Sequence, residues 1–135
     1  IVLLAEVTLG LVHLHERGFI HCDLKIENIM LDAVGHVKII DFGFAVEITG
    51  DSQPLRLAGS LIYMPPELIK SKRGGRHTDW WALGILAFEL MTGRSPWSSL
   101  TDFPVIKYEI LNCQILPPVN VSVLSAQFIQ QLVQR

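Results

Sequence analysis

The chain has 135 residues, half of them apolar and 18% charged, and 13 acids against 11 bases leave a net charge of −2. That composition supports one packed domain and excludes intrinsic disorder, and its near-balanced charge excludes a nucleic-acid binder that works by a basic field. Cys22 and Cys113 lie 91 positions apart with no C-x-x-C, so they read as free thiols of a reducing compartment, intracellular and either cytoplasmic or nuclear.

Residues 1–17 carry Leu3, Leu4, Val7, Leu11 and Leu14 at helical spacing, with Gly18 as the stop. Phe19-Ile20 is a short extended piece. Ile29-Met30-Leu31 and Val37-Lys38-Ile39-Ile40 flank Asp32-Ala33-Val34-Gly35, the pattern of a β-hairpin and its turn. Residues 42–64 have no sustained period and are punctuated by Gly43, Gly50, Pro54 and Gly59, which reads as a long loop, functional or disordered. A helical turn follows over 67–70, then Lys72-Arg73-Gly74-Gly75-Arg76 as a solvated basic loop. The most apolar helix is expected over 79–92, and two amphipathic helices over 104–112 and 125–133 are separated by Pro117-Pro118. The run 80–90 is interrupted by Glu89 and ended by Gly93, well short of the roughly 20 apolar residues of a membrane span. The fold class is mainly α with a small β-hairpin. The chain opens without Met on Ile1-Val2-Leu3-Leu4-Ala5 and stops just after a helical stretch, which reads as one partial domain over 1–135, cut at both ends.

Chemistry concentrates in His21-Cys22-Asp23-Leu24-Lys25-Ile26-Glu27-Asn28, an acid, a base and an amide within eight residues, and in Asp41-Phe42-Gly43 directly after the second hairpin strand. A hairpin folds back on itself, so Asp41 returns toward Asp23 and Asn28. Two carboxylates, an amide and a lysine suit a divalent cation with a polyphosphate: hard oxygens hold Mg²⁺, the lysine offsets phosphate charge, and the second carboxylate orients a hydroxyl nucleophile. His13 and His15 point in different directions on a helix and make a poor metal pair. His36 and His77 read as turn and packing residues.

The ordered set H-x-D-L-K-x-E-N, D-F-G, P-P-E and D-W-W-A-L-G, with 18 positions from Asp23 to Asp41, resembles the C-terminal lobe of eukaryotic protein kinases, a partial α+β kinase fold. Tyr63-Met64-Pro65-Pro66-Glu67 and Asp79-Trp80-Trp81-Ala82-Leu83-Gly84 look most like the AGC group, with the ribosomal S-six kinases and related kinases as nearest kin. The resemblance implies an ATP- and Mg²⁺-dependent transfer of the γ-phosphate to protein Ser or Thr. Asp23 would be the base, Lys25 would touch the transferred phosphate, and Asn28 and Asp41 would ligate Mg²⁺. It further implies that His21 and Phe42 belong to a hydrophobic spine, that Met30 lies beneath adenine, and that Asp79 holds the catalytic-loop backbone. The Ser60 hydroxyl would bridge Asp23 and Lys25, which together with Lys25 itself points to serine/threonine specificity. Glu27 would read a substrate arginine, giving a protein partner with a basic motif, and Glu67 would be a buried carboxylate paired with an arginine beyond residue 135. Oligomeric state is not encoded in any of these motifs.

Two departures stand out. Cys22 occupies the place of an arginine that in many kinases captures a phosphate on the loop, and Arg56 occupies the place of the phosphorylated threonine, three residues before Gly59. Both halves of a phosphate switch are missing together. The 135 residues also contain no G-x-G-x-x-G and no V-A-I-K. The alternative reading is therefore a pseudokinase or kinase-like binding module without turnover.

Overall fold

The computed structural model describes residues 2–57 and 59–134. Helix α1 (Val2–Glu16) buries Leu4, Val7, Leu11 and His15, one stripe at three- and four-residue spacing. It ends where Gly18 takes φ +83°, a left-handed turn that glycine adopts without a Cβ penalty. Strand β1 (Phe19–Ile20) follows, then a 3₁₀ turn (Ile26–Asn28) and the hairpin of β2 (Ile29–Leu31) and β3 (Val37–Ile39), paired Ile29 with Ile39 and Leu31 with Val37. The Asp32 carboxylate closes the hairpin turn by accepting the N–H groups of Val34 and His36.

The segment expected as a long loop is fastened at two places. Strand β4 (Val46–Glu47) pairs with β1, and β5 (Gln53–Pro54) pairs with β6 (Arg73–Gly74). The Ile48 N–H donates to Gly18 O at 2.7 Å and the Leu55 N–H to Lys72 O at 2.9 Å. Buried Gln53 donates to Glu47 O and accepts from Thr49. Over 72–76 the basic residues Lys72, Arg73 and Arg76 are exposed as expected, but the stretch is not a free loop: Gly74 and Gly75 are buried, and a Cβ would lie 2.6 Å from Leu55 Cδ1 on Gly74 and 2.3 Å from Asp51 O on Gly75. The single expected ribbon is thus, among the described residues, one of three antiparallel pairs in a mainly helical domain.

Helix α2 (Pro66–Ser71) leads through β6 into α3 (Arg76–Thr92), which starts three residues earlier than expected. From Thr78 to Phe88 only Trp80 escapes full burial, so α3 is hydrophobic all round and forms the centre of the domain. It packs on α1, β1 and α5. Gly84 admits α5 at close range: a Cβ there would meet Val133 Cγ1 at 2.6 Å. Helices α4 (Phe103–Asn112) and α5 (Val123–Leu132) also begin earlier than their apolar periods, because Asp102 accepts the Val105 N–H and Ser122 the Ser125 N–H as N-caps. Among the described residues no helix is long and apolar enough to cross a membrane.

Candidate active site

The site begins beneath the catalytic loop. Asp79, in the first turn of α3, is fully buried. Its Oδ2 accepts the His21 N–H at 2.8 Å and its Oδ1 the Cys22 N–H at 2.9 Å, while His15 Nε2 lies 2.8 Å from Oδ2. A buried carboxylate is tolerable only when its lone pairs are filled in this way. The loop is thereby hung on α3 by its backbone, with Cys22 at φ +66°, a conformation uncommon for a residue with a Cβ.

His21 joins the two motifs. Its Nδ1 accepts the Asp23 N–H at 3.3 Å and its Nε2 lies 3.1 Å from Ile40 O, which assigns the proton to Nε2. Its ring meets Phe42 edge-on at 5.1 Å. Together with the Ile40 N–H donated to Asn28 O at 3.0 Å, this carries the chain from β3 back to the loop and delivers Asp41 beside it.

Asp23 is 4% exposed. Its Oδ2 accepts from Lys25 Nζ at 2.8 Å and from Asn28 Nδ2 at 3.3 Å; the same amide nitrogen also donates to Asp23 O at 2.8 Å. Its Oδ1 accepts the Ser60 backbone N–H at 3.2 Å. The structure therefore gives Ser60 its contact with Asp23 through the backbone, where a hydroxyl bridge was expected. Glycine is required just before it, because a Cβ on Gly59 would sit 2.5 Å from Asp23 Oδ1. The hydrogen bond to Asp23 holds the Lys25 ammonium above the ordinary lysine range, with Asp23, Glu27 and Asp41 adding field.

Asp41, at φ +61°, is exposed and accepts the Gly43 N–H at 3.2 Å. Among the described residues no three His, Cys, Asp or Glu side chains converge as a metal cage. Mg²⁺ does not need one, since it is usually held by one or two carboxylates with phosphate oxygens and water. The Asn28 amide, its nitrogen turned to Asp23, keeps its oxygen for such an ion, and exposed Asp41 follows Ile40, whose N–H bonds the backbone O of Asn28, so the donor set fits. Met30 and Glu27 are exposed.

Glu67 corrects an expectation. Its side chain is 43% exposed and lies 3.3 Å from His77 Nε2, so it is not a stranded buried charge. Three contributors are given no role by the motifs. His15 is buried on Asp79 and packs edge-on against Trp80. The Tyr63 hydroxyl donates to Glu89 Oε2 and accepts the Ile26 N–H. Burial pushes the Glu89 carboxyl up, and the nearby Glu27 charge adds to it. The one signal for Glu89 in the sequence is an acid inside an otherwise apolar helix.

A family model described as a protein kinase domain matches residues 2–134. The chain is 42% identical over 113 residues to protein kinase C zeta type of Oryctolagus cuniculus, covering 83% of this chain and 19% of that protein. It is 38% identical over 133 residues to ribosomal protein S6 kinase alpha-4 of Mus musculus (94% and 17% covered). It is 39% identical over 127 residues to the cAMP-dependent protein kinase catalytic subunit PRKX of Mus musculus (94% and 35%). The chain thus spans about a third or less of the length of these AGC-type relatives. The motif order, the loop hung on α3 and the match over residues 2–134 agree: the chain belongs to the protein kinase family.

Proposed function

We propose that the protein transfers the γ-phosphate of ATP to serine or threonine hydroxyls of protein substrates, with residues 1–135 forming the lower wall of its site. The observation that supports this best is the Asp23 carboxylate, buried and fixed through both oxygens by Lys25, Asn28 and the Ser60 N–H, with the charge of exposed Asp41 acting on the same Lys25. In this reading Asp23 orients the substrate hydroxyl and accepts its proton as the new O–P bond forms and the bond to the β-phosphate oxygen breaks, leaving ADP. Lys25 shifts between Asp23 and the transferred phosphate. Asn28 and Asp41 would hold Mg²⁺, which would offset the charge of the phosphate groups. Exposed Met30 offers an apolar face to adenine. Exposed Glu27, beside Glu89, gives the substrate side an acidic character suited to a basic peptide.

The test is phosphate transfer from labelled ATP to a basic serine peptide by the full-length protein. Asp23→Asn preserves shape and removes proton acceptance, and kcat falls by roughly 10²–10⁴-fold. Equal rates for mutant and wild type refute the assignment. Nucleotide binding without any transfer in the wild type favours a kinase-like binding module instead.

A further inference from the structure

Besides the main core, the domain has a second, smaller apolar cluster of Leu55, Met64 and Leu68, each at most 7% exposed, with Cys22, Val46 and Leu61 packed against it. Its members come from the catalytic loop, from both ends of the segment over 46–64, and from α2. Cys22 is the member that belongs to the loop: its N–H bonds Asp79 while its side chain enters the cluster. Burial, with the charges of Asp79 and Asp23, pushes its thiol up to about 12, so it packs as a neutral S–H and is not a thiolate. Leu55 is the matching member from the segment. Its N–H is bonded to Lys72 O, and Gly74 lies flush against its side chain. Arg56, next in the chain, is exposed. Every member of the cluster is uncharged.

We infer that Cys22 is a positioning residue that couples the segment over 46–64 to Asp23 through its packing on the apolar cluster of Leu55, Met64 and Leu68, an apolar clasp that orders the segment without a phosphate. The inference rests on the kinase reading only for its consequence on rate. The clasp itself is a packing statement: apolar burial supplies the hold that a charge-assisted phosphate contact would otherwise supply.

Hydrogen exchange on the full-length protein, treated with phosphatase and checked by mass spectrometry, tests it. In the wild type the amides of Ile48 and Leu55 are protected with no phosphate present. Leu55→Ala removes the cluster member contributed by the segment and leaves the catalytic-loop sequence intact, and Cys22→Asn places an amide against the cluster while tolerating the left-handed backbone. Each raises exchange over 46–57 by at least about tenfold, leaves the amides of 81–88 unchanged, and lowers kcat with the KM for ATP retained. Free exchange of the unphosphorylated wild-type segment, with protection appearing only once Thr49, Ser52 or Ser60 is phosphorylated, overturns the clasp. So does unchanged protection in Leu55→Ala. If the exchange results hold while Asp23→Asn keeps wild-type activity, the kinase reading fails and the clasp stands.

Discussion

Gly59 offers the sharpest test of the site, because two separate costs of adding one methyl group can be told apart. Gly59 and Gly35 both sit at φ +95°. Alanine in the left-handed region costs roughly 1–2 kcal/mol, so either substitution should lower stability by that much out of a typical 5–15 kcal/mol and leave the protein folded. The surroundings differ. A Cβ on Gly35 meets nothing within 4 Å, whereas one on Gly59 lies 2.5 Å from Asp23 Oδ1. In Gly59→Ala the carboxylate must retreat by about 1 Å to reach ordinary contact, which stretches the Ser60 N–H bond and turns the base off its line; a displacement of that size costs about 10²-fold in rate. Thermal denaturation of the two variants should therefore give similar losses, while peptide phosphorylation by the full-length protein separates them: near-wild-type kcat for Gly35→Ala and a roughly hundredfold fall for Gly59→Ala. A Gly59→Ala enzyme with kcat within about threefold of Gly35→Ala would refute the reasoning that ties this glycine to the base.

Three further outcomes follow from the same geometry. Asp79→Asn leaves one side-chain oxygen where two now serve His15, His21 and Cys22, and urea denaturation should show a loss of about 3 kcal/mol or more; a loss under 1 kcal/mol contradicts the suspended-loop account. Glu89, whose carboxyl burial holds above the ordinary glutamate value of 4.5, gives stability that is fully present below pH 4.5 and is lost as pH rises through the folded value; Glu89→Gln, which still accepts from Tyr63, should flatten that slope, and an unchanged urea-midpoint profile from pH 4 to 8 argues against it. The 135-residue chain alone should bind Mg·ATP no tighter than millimolar, about −4 kcal/mol, because Met30 is 52% exposed and no glycine-rich loop or V-A-I-K lysine is present in these residues to cover the nucleotide; micromolar affinity by calorimetry contradicts this.

Some of this architecture is legible in the residues. The α1 stripe and its Gly18 stop, the hairpin around Asp32–Gly35, and the four ordered motifs depend on local period or on residue type, which a sequence displays directly. What stayed hidden depends on partners distant in the chain. The β5–β6 pair contains Pro54 and Gly74, shows no alternation, and forms because Gly74 can lie against Leu55. The starts of α4 and α5 are set by the caps Asp102 and Ser122, polar residues outside the apolar period. Ser60 has a hydroxyl that draws attention, yet its backbone N–H makes the contact with Asp23, and backbone donors carry no sequence signal. Glu67 looked buried from its motif, but its side chain emerges at the surface beside His77.

The same distinction between backbone and side chain explains how the loop keeps its shape with Cys22 in it. Asp79 grips the N–H groups of His21 and Cys22, and a peptide N–H is the same whichever side chain follows it. His21 and Leu24, fully buried, supply the apolar and hydrogen-bonded anchors on either side. The conformation that aims Asp23 is therefore set from α3 and from residues other than 22. That leaves the side chain at 22 free to decide a different matter, namely what holds the neighbouring segment: a cation there would receive an anion, and a thiol at the edge of the Leu55, Met64 and Leu68 cluster joins the packing. The suspension of the loop and the control of the segment meet at one residue but run through different atoms of it, so Cys22→Asn keeps the backbone grip of Asp79 while the loosened segment, through the Ser60 N–H on Asp23, lowers the rate.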